Sequence, residues 1–381
     1  MIYFDYNATT PLDPEVREAM LPYLDEVFGN PASVHSAGRR ARTILDDARE
    51  RVAAVLGAKP SEITFTSGAT ESNNLAILGT ARKLRDRGRH IITSSIEHHA
   101  ALHPCEYLAN KEGFELTILP VDCHGRVSVD DLSAALREDT ILVSIMAANN
   151  ETGSIQPAAE IGEICRKRGI LYHTDAVHSF GKTPFESIHQ FHADLVSICS
   201  HKFHGPKGAG ALFTRSPFQP ESIIHGGVQE GERRGGTENL AAIIGFTESA
   251  ERFLRTPVFE ETRLRPMTDR IIRLVDGLDQ VEFRGSRENR LCNTVAFSVS
   301  GADSIAMLAG LDMEGICASS GSACTSGSVT PSHVLRAMGV NDTDAASLVR
   351  ISLGRESTLQ EIEALESALP KVIQRIRSAG S

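Results

Sequence analysis

The stretch SHKFHGPKGAG, residues 200–210, sets two lysines in one turn. A lysine held at the end of a strand can lose its water shell, which lowers the pKa of its amine and suits it to forming an imine with an aldehyde. Lys202 directly follows an apolar run and has Ser200 and His201 beside it, two candidate donors to a phosphate group. Lys207, between Pro206 and Gly208, reads as a loop lysine, and either one alone is more simply a surface lysine. Asp175 closes another run, where a carboxylate either holds a ring nitrogen protonated or caps a helix. His98 follows a third; an imidazole there either stacks on a flat ring and moves protons or is a satisfied structural histidine. Ser67-Gly68-Ala69-Thr70 lies between a run and a helical stretch, the place for a phosphate cradle or for a plain helix cap. It lacks GxxxxGK[ST] spacing and no GxGxxG follows a strand, so neither ATP nor NAD is favoured. Cys324 stands in SSGSACTSGS, residues 319–328, where little can pack over it, the setting for a thiol that has to travel.

The elements that must position these residues are short apolar runs alternating with helical stretches: 62–66, 90–95, 140–146, 170–174, 194–200 and 210–214. Runs apolar on both faces predict a mostly parallel sheet covered by helices. Each candidate group follows a run, and ligands of such sheets bind outside the carboxyl ends of the strands, so the groups are expected to converge on one crevice. Beyond about residue 250 a second unit is expected, with helices near 260–278 and 358–377 and strands near 281–284 and 293–299.

At 381 residues with 41% hydrophobic and 23% charged residues, the composition is that of an ordinary soluble protein. The net charge of −10 argues against direct nucleic-acid binding. No apolar run approaches the ~20 residues of a membrane helix, and MIYFDYNATTPL does not read as a secretory signal. The seven cysteines are scattered without CxxC, as expected in a reducing, cytoplasmic compartment. His99, His103 and Cys105 have a spacing that could suit zinc, but no fourth ligand is evident, and no metal is expected.

In order along the chain, FDYNATTPLD, FGNPAS, FTSGATESNN, IEHHA, NNETG, DAVHSFGK, SHKFHGPKG, GGTEN, SGSACTSGS and RISLGRES resemble the motifs of pyridoxal-phosphate cysteine desulfurases, from about residue 3 to residue 370. The Ser-rich loop resembles the branch of nitrogen-fixation and housekeeping iron–sulfur enzymes. The resemblance implies an α/β, type I fold of pyridoxal-phosphate-dependent transferases. Its large cofactor-binding domain would span 12–252 around a mostly parallel seven-stranded sheet; a smaller α/β domain, 1–11 with 253–381, would carry the catalytic loop at about 319–331. A homodimer, pyridoxal 5′-phosphate, L-cysteine as substrate and a sulfur-acceptor protein such as an iron–sulfur scaffold are likewise implied. By matching positions, Lys202 forms the imine and then removes the α-proton, His98 stacks on the ring, Asp175 pairs with its nitrogen, and Asn150 and His178 lie near its oxygen. Ala69, Thr70, Ser200 and His201 hold the phosphate, with Thr237 arriving from the other subunit. Arg355 pairs with the substrate carboxylate, helped by Asn30 and Asn150, and Cys324 takes the sulfur as a persulfide while L-alanine leaves. A selenocysteine lyase or another enzyme of the same fold is the alternative.

The match departs at position 178, histidine where the family usually has glutamine, and at Gly235 and Val228, in place of the usual serine and glycine. Imidazole donates too, but its charge changes near neutral pH, which predicts a component in the cofactor's visible pH titration that a His178→Gln variant lacks.

Overall fold

A computed structural model describes residues 1–321 and 330–379. Its strands in chain order are β1 (Ile2–Tyr3), β2 (Ile63–Thr66), β3 (His90–Ser94), β4 (Glu115–Leu119), β5 (Thr140–Ser144), β6 (Leu171–Asp175), β7 (Leu195–Cys199), β8 (Gly210–Thr214), β9 (Val281–Arg284), β10 (Thr294–Val299), β11 (Ile316–Cys317) and β12 (Leu348–Ser352). Seven form the main sheet, in the order β2-β8-β7-β6-β5-β3-β4. The pairs from β4 to β7 are parallel, and only β8 runs against its neighbours β7 and β2. This is the mostly parallel α/β sheet that the sequence predicts.

β2, β3, β5, β7 and β8 are buried at every position, which is why their sequences carry no alternation. Helices supply the cover. On one face Leu75 and Ala76 of the helix Ala69–Leu84 pack with Leu195 of β7 and Leu212 of β8. Elsewhere the helices Ser36–Leu56 and Leu240–Phe253 pack on each other, the first contributing a face of buried Ala, Leu and Val and the second one of Ala, Leu and Ile. Each such aliphatic side chain contributes on the order of 2 kcal/mol when fully buried.

Residues 281–352 build a second, antiparallel sheet, β12-β10-β9, flanked by the helices Glu261–Asp276 and Leu359–Ala379. The two helices, β9 and β10 lie where the sequence predicts them, whereas β12 was not anticipated. The N-terminal residues join this part of the chain, because β1 pairs with β11 and Asp5 bridges Ser352. From there residues 7–13 run back along the carboxyl ends of the main sheet: the Thr10 amide bonds to the His201 carbonyl and the Asp13 amide to that of His204. No helix among the described residues is long and apolar enough to cross a membrane.

Candidate active site

At the carboxyl ends of the main sheet lies a cavity of about 560 Å³, and residues from five strand ends meet in its wall: Ser67–Thr70 after β2, His98 after β3, Asn150 after β5, Asp175 ending β6, and His201 and Lys202 after β7. Lys202 sits on the short 3₁₀ turn Ser200–Lys202, and its Nζ donates to the carbonyl oxygens of Asn7 and Ala8 at 2.7 and 2.8 Å. Both acceptors are neutral. Burial therefore dominates and lowers the Lys202 pKa to about 8, with Arg350 pushing the same way and Cys199 and Asp175 opposing. Capture of an aldehyde by the cofactor-free protein is thus expected to accelerate as pH rises through about 8. A rate of reconstitution with pyridoxal phosphate that is flat from roughly pH 7 to 9 would contradict this.

Asp175 ends β6 and is fixed from two sides, its Oδ2 accepting from Asn73 Nδ2 at 2.7 Å and its Oδ1 from the Val177 amide at 3.0 Å. His98 caps the helix His99–Glu112, its Nδ1 accepting from the Ala100 amide at 3.0 Å, so a proton on the neutral ring belongs to Nε2. Desolvation lowers its pKa and keeps it neutral. His201 is neutral as well, pushed down to about 4 by burial and by Lys202.

The cradle at residues 67–70 is open to a ligand. Gly68 adopts φ 146°, and the helix Ala69–Leu84 that it begins has no side-chain cap, leaving N–H groups and the positive end of the helix dipole facing the cavity. The loop sits hard against β8: a Cβ on Gly210 would lie 2.8 Å from Gly68 Cα and 2.7 Å from the Ile198 carbonyl oxygen. Gly210→Ala is accordingly expected to push the loop off the strand and weaken phosphate binding, measurable as a raised Kd for pyridoxal phosphate; unchanged affinity would show that the loop has room. A desolvated amine, a fixed carboxylate and an uncapped helix N-terminus together suit a phosphorylated aldehyde whose ring nitrogen carries a proton.

A model of the aminotransferase class-V family matches residues 2–365 of the chain. The protein belongs to that family. Among its class-V relatives, the chain is 47% identical over 378 residues to the cysteine desulfurase IscS of Dictyoglomus turgidum, covering 99% of this chain and 95% of the relative. It is 43% identical to a putative cysteine desulfurase IscS 1 of Bacillus subtilis, covering 98% and 99%. Solved structures agree. A NifS-like protein superposes with a TM-score of 0.91 at 36% identity, covering 98% of this chain and 99% of the other, and SspA in complex with cysteine with 0.82 at 36%, covering 94% and 100%.

Within this class-V site most expected residues line the one cavity: Ala69, Thr70, His98, Asn150, Asp175, His178, His201 and Lys202. Four do not. The Ser200 hydroxyl is engaged by the carbonyl oxygens of Pro206 and Ala209, so it braces the turn under Lys202. Asn30 is exposed and accepts from the Ala32 amide. Thr237 lies in a separate hollow with Glu238 and Arg234. Arg355 is turned away, pairing with Asp13 at 2.7 Å and with Glu356 while its guanidinium covers the Phe253 ring.

The guanidinium at the cavity is instead that of Arg350 on β12, 4% exposed, held by Asp5 at 2.7 Å and by the Asn150 carbonyl oxygen at 3.0 Å. Sequence reasoning passed over it, although it stands in the same RISLGRES motif as Arg355. Asn7 and Cys199 are further lining residues that it missed. Cys324 lies outside the described residues; Ser319–Gly321, which precede it, line the cavity. His99 and His103 stack ring on ring at 4.5 Å and Cys105 is buried away from solvent; no metal-holding group of His, Cys, Asp or Glu occurs among the described residues.

His178 also departs from expectation. It is buried beside Lys182, Lys202 and Arg350, and desolvation with those three charges drives its pKa well below the usual imidazole value. It stays neutral through the physiological range, so the spectral component anticipated from its titration near pH 7 is not expected.

Proposed function

We propose that the protein is a pyridoxal-phosphate-dependent cysteine desulfurase, which takes the sulfur of L-cysteine onto Cys324 as a persulfide and releases L-alanine. The observation that carries the reading is the meeting of a desolvated Lys202 amine with the fixed Asp175 carboxylate in a cavity whose wall includes Ser319–Gly321, on the way to Cys324. When bound, pyridoxal 5′-phosphate supplies an electron sink conjugated to the substrate's α-carbon.

The chain's own groups supply the rest. Lys202 would hold the cofactor's aldehyde carbon and would serve as the base for the α-proton; its contacts with the Asn7 and Ala8 carbonyl oxygens hold the amine in place. Asp175 would keep the cofactor's ring nitrogen protonated, and His98 would lie against the ring. The amides that open the helix at Ala69 and Thr70, with neutral His201, would receive the phosphate, and Thr237 would complete that shell from a second subunit of a homodimer. Arg350 takes the substrate carboxylate, because its planar fork binds two oxygens at once. The Cys324 thiolate attacks the cysteine sulfur: an S–S bond forms, the Cβ–S bond breaks with its electron pair left on carbon, Cβ gains a proton, and Cα regains the proton that Lys202 had taken, giving alanine. The persulfide then passes to an acceptor thiol, on an iron–sulfur scaffold or another thiolation protein.

Incubation of the pyridoxal-phosphate-loaded protein with L-cysteine is expected to release alanine and leave one added sulfur on the peptide containing Cys324, read by mass spectrometry. Cys324→Ala should abolish both. Full activity on L-cysteine in that variant would instead favour a selenocysteine lyase or related enzyme.

A further inference from the structure

Lys182 is a lysine that chemistry has so far left unexplained. It is 2% exposed, and its Nζ donates to Asn7 Oδ1 at 2.6 Å, meets His178 Nδ1 at 3.3 Å and lies 5.0 Å from the centre of the Phe259 ring. Asn7 has little choice of orientation: its Nδ2 donates to Thr294 Oγ1 and to the Asn150 carbonyl oxygen, and its Oδ1 also accepts from Asn293 Nδ2. One N–H of Lys182 is thereby assigned. The remaining polar neighbour is His178, and both residues are buried.

Two bases in contact can hold one proton between them but not two, since two cations at 3.3 Å would repel strongly away from water. Lysine is intrinsically the stronger base by about four pKa units. The Phe259 ring face also favours an ammonium over a lone pair. The proton therefore belongs to Lys182, and an ammonium is a donor only, so Nδ1 of His178 must accept. The other charged or titratable groups facing the pair are Lys202 and Arg350, His98 toward His178, and Cys292 toward Lys182; burial, Lys202 and Arg350 depress the lysine and the imidazole alike, His98 opposes a proton on His178 and Cys292 favours one on Lys182, so the intrinsic gap in basicity decides where the proton sits.

We propose that Lys182 is a positioning residue for the cofactor site: its ammonium, donating to Nδ1, fixes His178 as the Nε2–H tautomer and so keeps an imidazole N–H available to an oxygen in the cavity. Glutamine at this position would present an amide N–H without such help. Histidine needs its tautomer set, and Lys182 sets it. The functional side of this inference rests on the cofactor reading above; the tautomer does not.

The test has two arms. In cofactor-free and pyridoxal-phosphate-loaded protein labelled with ¹⁵N-histidine, long-range ¹H–¹⁵N spectra should show His178, identified by its loss in His178→Gln, as the Nε2–H form. Lys182→Met should convert it to the Nδ1–H form or a mixture. In the second arm, Lys182→Met should weaken pyridoxal phosphate binding roughly tenfold in the native background, the size of one lost polar hydrogen bond. In a His178→Gln background it should cost roughly twofold or less, because the residue acts through the imidazole. An Nδ1–H tautomer in the native protein overturns the proposal even if Lys182→Met does not fold; so does an equal loss in both backgrounds, which is the mark of a merely structural lysine. Failure of the native chain to bind pyridoxal phosphate at all would strike the cofactor reading and leave the tautomer result standing.

Discussion

Lys202→Ala is expected to abolish alanine release from L-cysteine, lowering kcat by at least about 10³-fold, because on the proposed reading one amine both anchors the cofactor and removes the α-proton. The loss should be chemical, not structural. The side chain donates only to the carbonyl oxygens of Asn7 and Ala8, and removing a buried amine without a carboxylate partner leaves no charge stranded. The variant should keep its thermal midpoint, bind pyridoxal phosphate reversibly and lack the absorbance band of a cofactor joined to lysine. Retention of that band would mean that Lys207, the other lysine at the cavity, is the anchor.

Arg350→Lys is expected to raise the KM for L-cysteine by roughly 30- to 150-fold, corresponding to about 2–3 kcal/mol for a forked, charge-assisted pair replaced by a point charge. Arg355→Lys should change KM by about threefold or less, since its partners Asp13 and Glu356 lie outside the cavity. The contrast matters more than either value. Arg350 also holds Asp5, so the lysine variant is the fair test; alanine would leave the Asp5 carboxylate without its partner. A larger KM effect at 355 than at 350 would return the carboxylate to the residue that the motif alone suggested.

That exchange of arginines illustrates what a linear reading can and cannot carry. The six apolar runs and the polar groups behind them were legible, because a buried parallel sheet demands unbroken apolar strands and puts ligands at one end of them. The direction of β8 was not, since burial leaves the same mark on a parallel and an antiparallel strand. β4, at the edge of the sheet, was passed over although Leu116, Ile118 and Leu119 are apolar, and in the fold most of its residues are partly exposed. Which of two arginines five positions apart lines the cavity depends on acidic partners far off in the chain, Asp5 for one and Asp13 for the other. The grip on Lys202 comes from main-chain oxygens, which leave no trace in residue type. Lys182 looked like any other lysine; only its depth gives it meaning.

The N-terminal segment has a consequence for how the protein comes into being. Asp5 and its partner Arg350 are 345 positions apart, and β1 finds its neighbour only at Ile316–Cys317. A nascent chain can therefore assemble its central layer, and lay residues 7–13 along it, while the ribosome is still working, yet the partners of Asp5 and β1, and with them Arg350 at the cavity, arrive only with the final stretch of polypeptide. Catalytic competence is the last thing synthesis delivers.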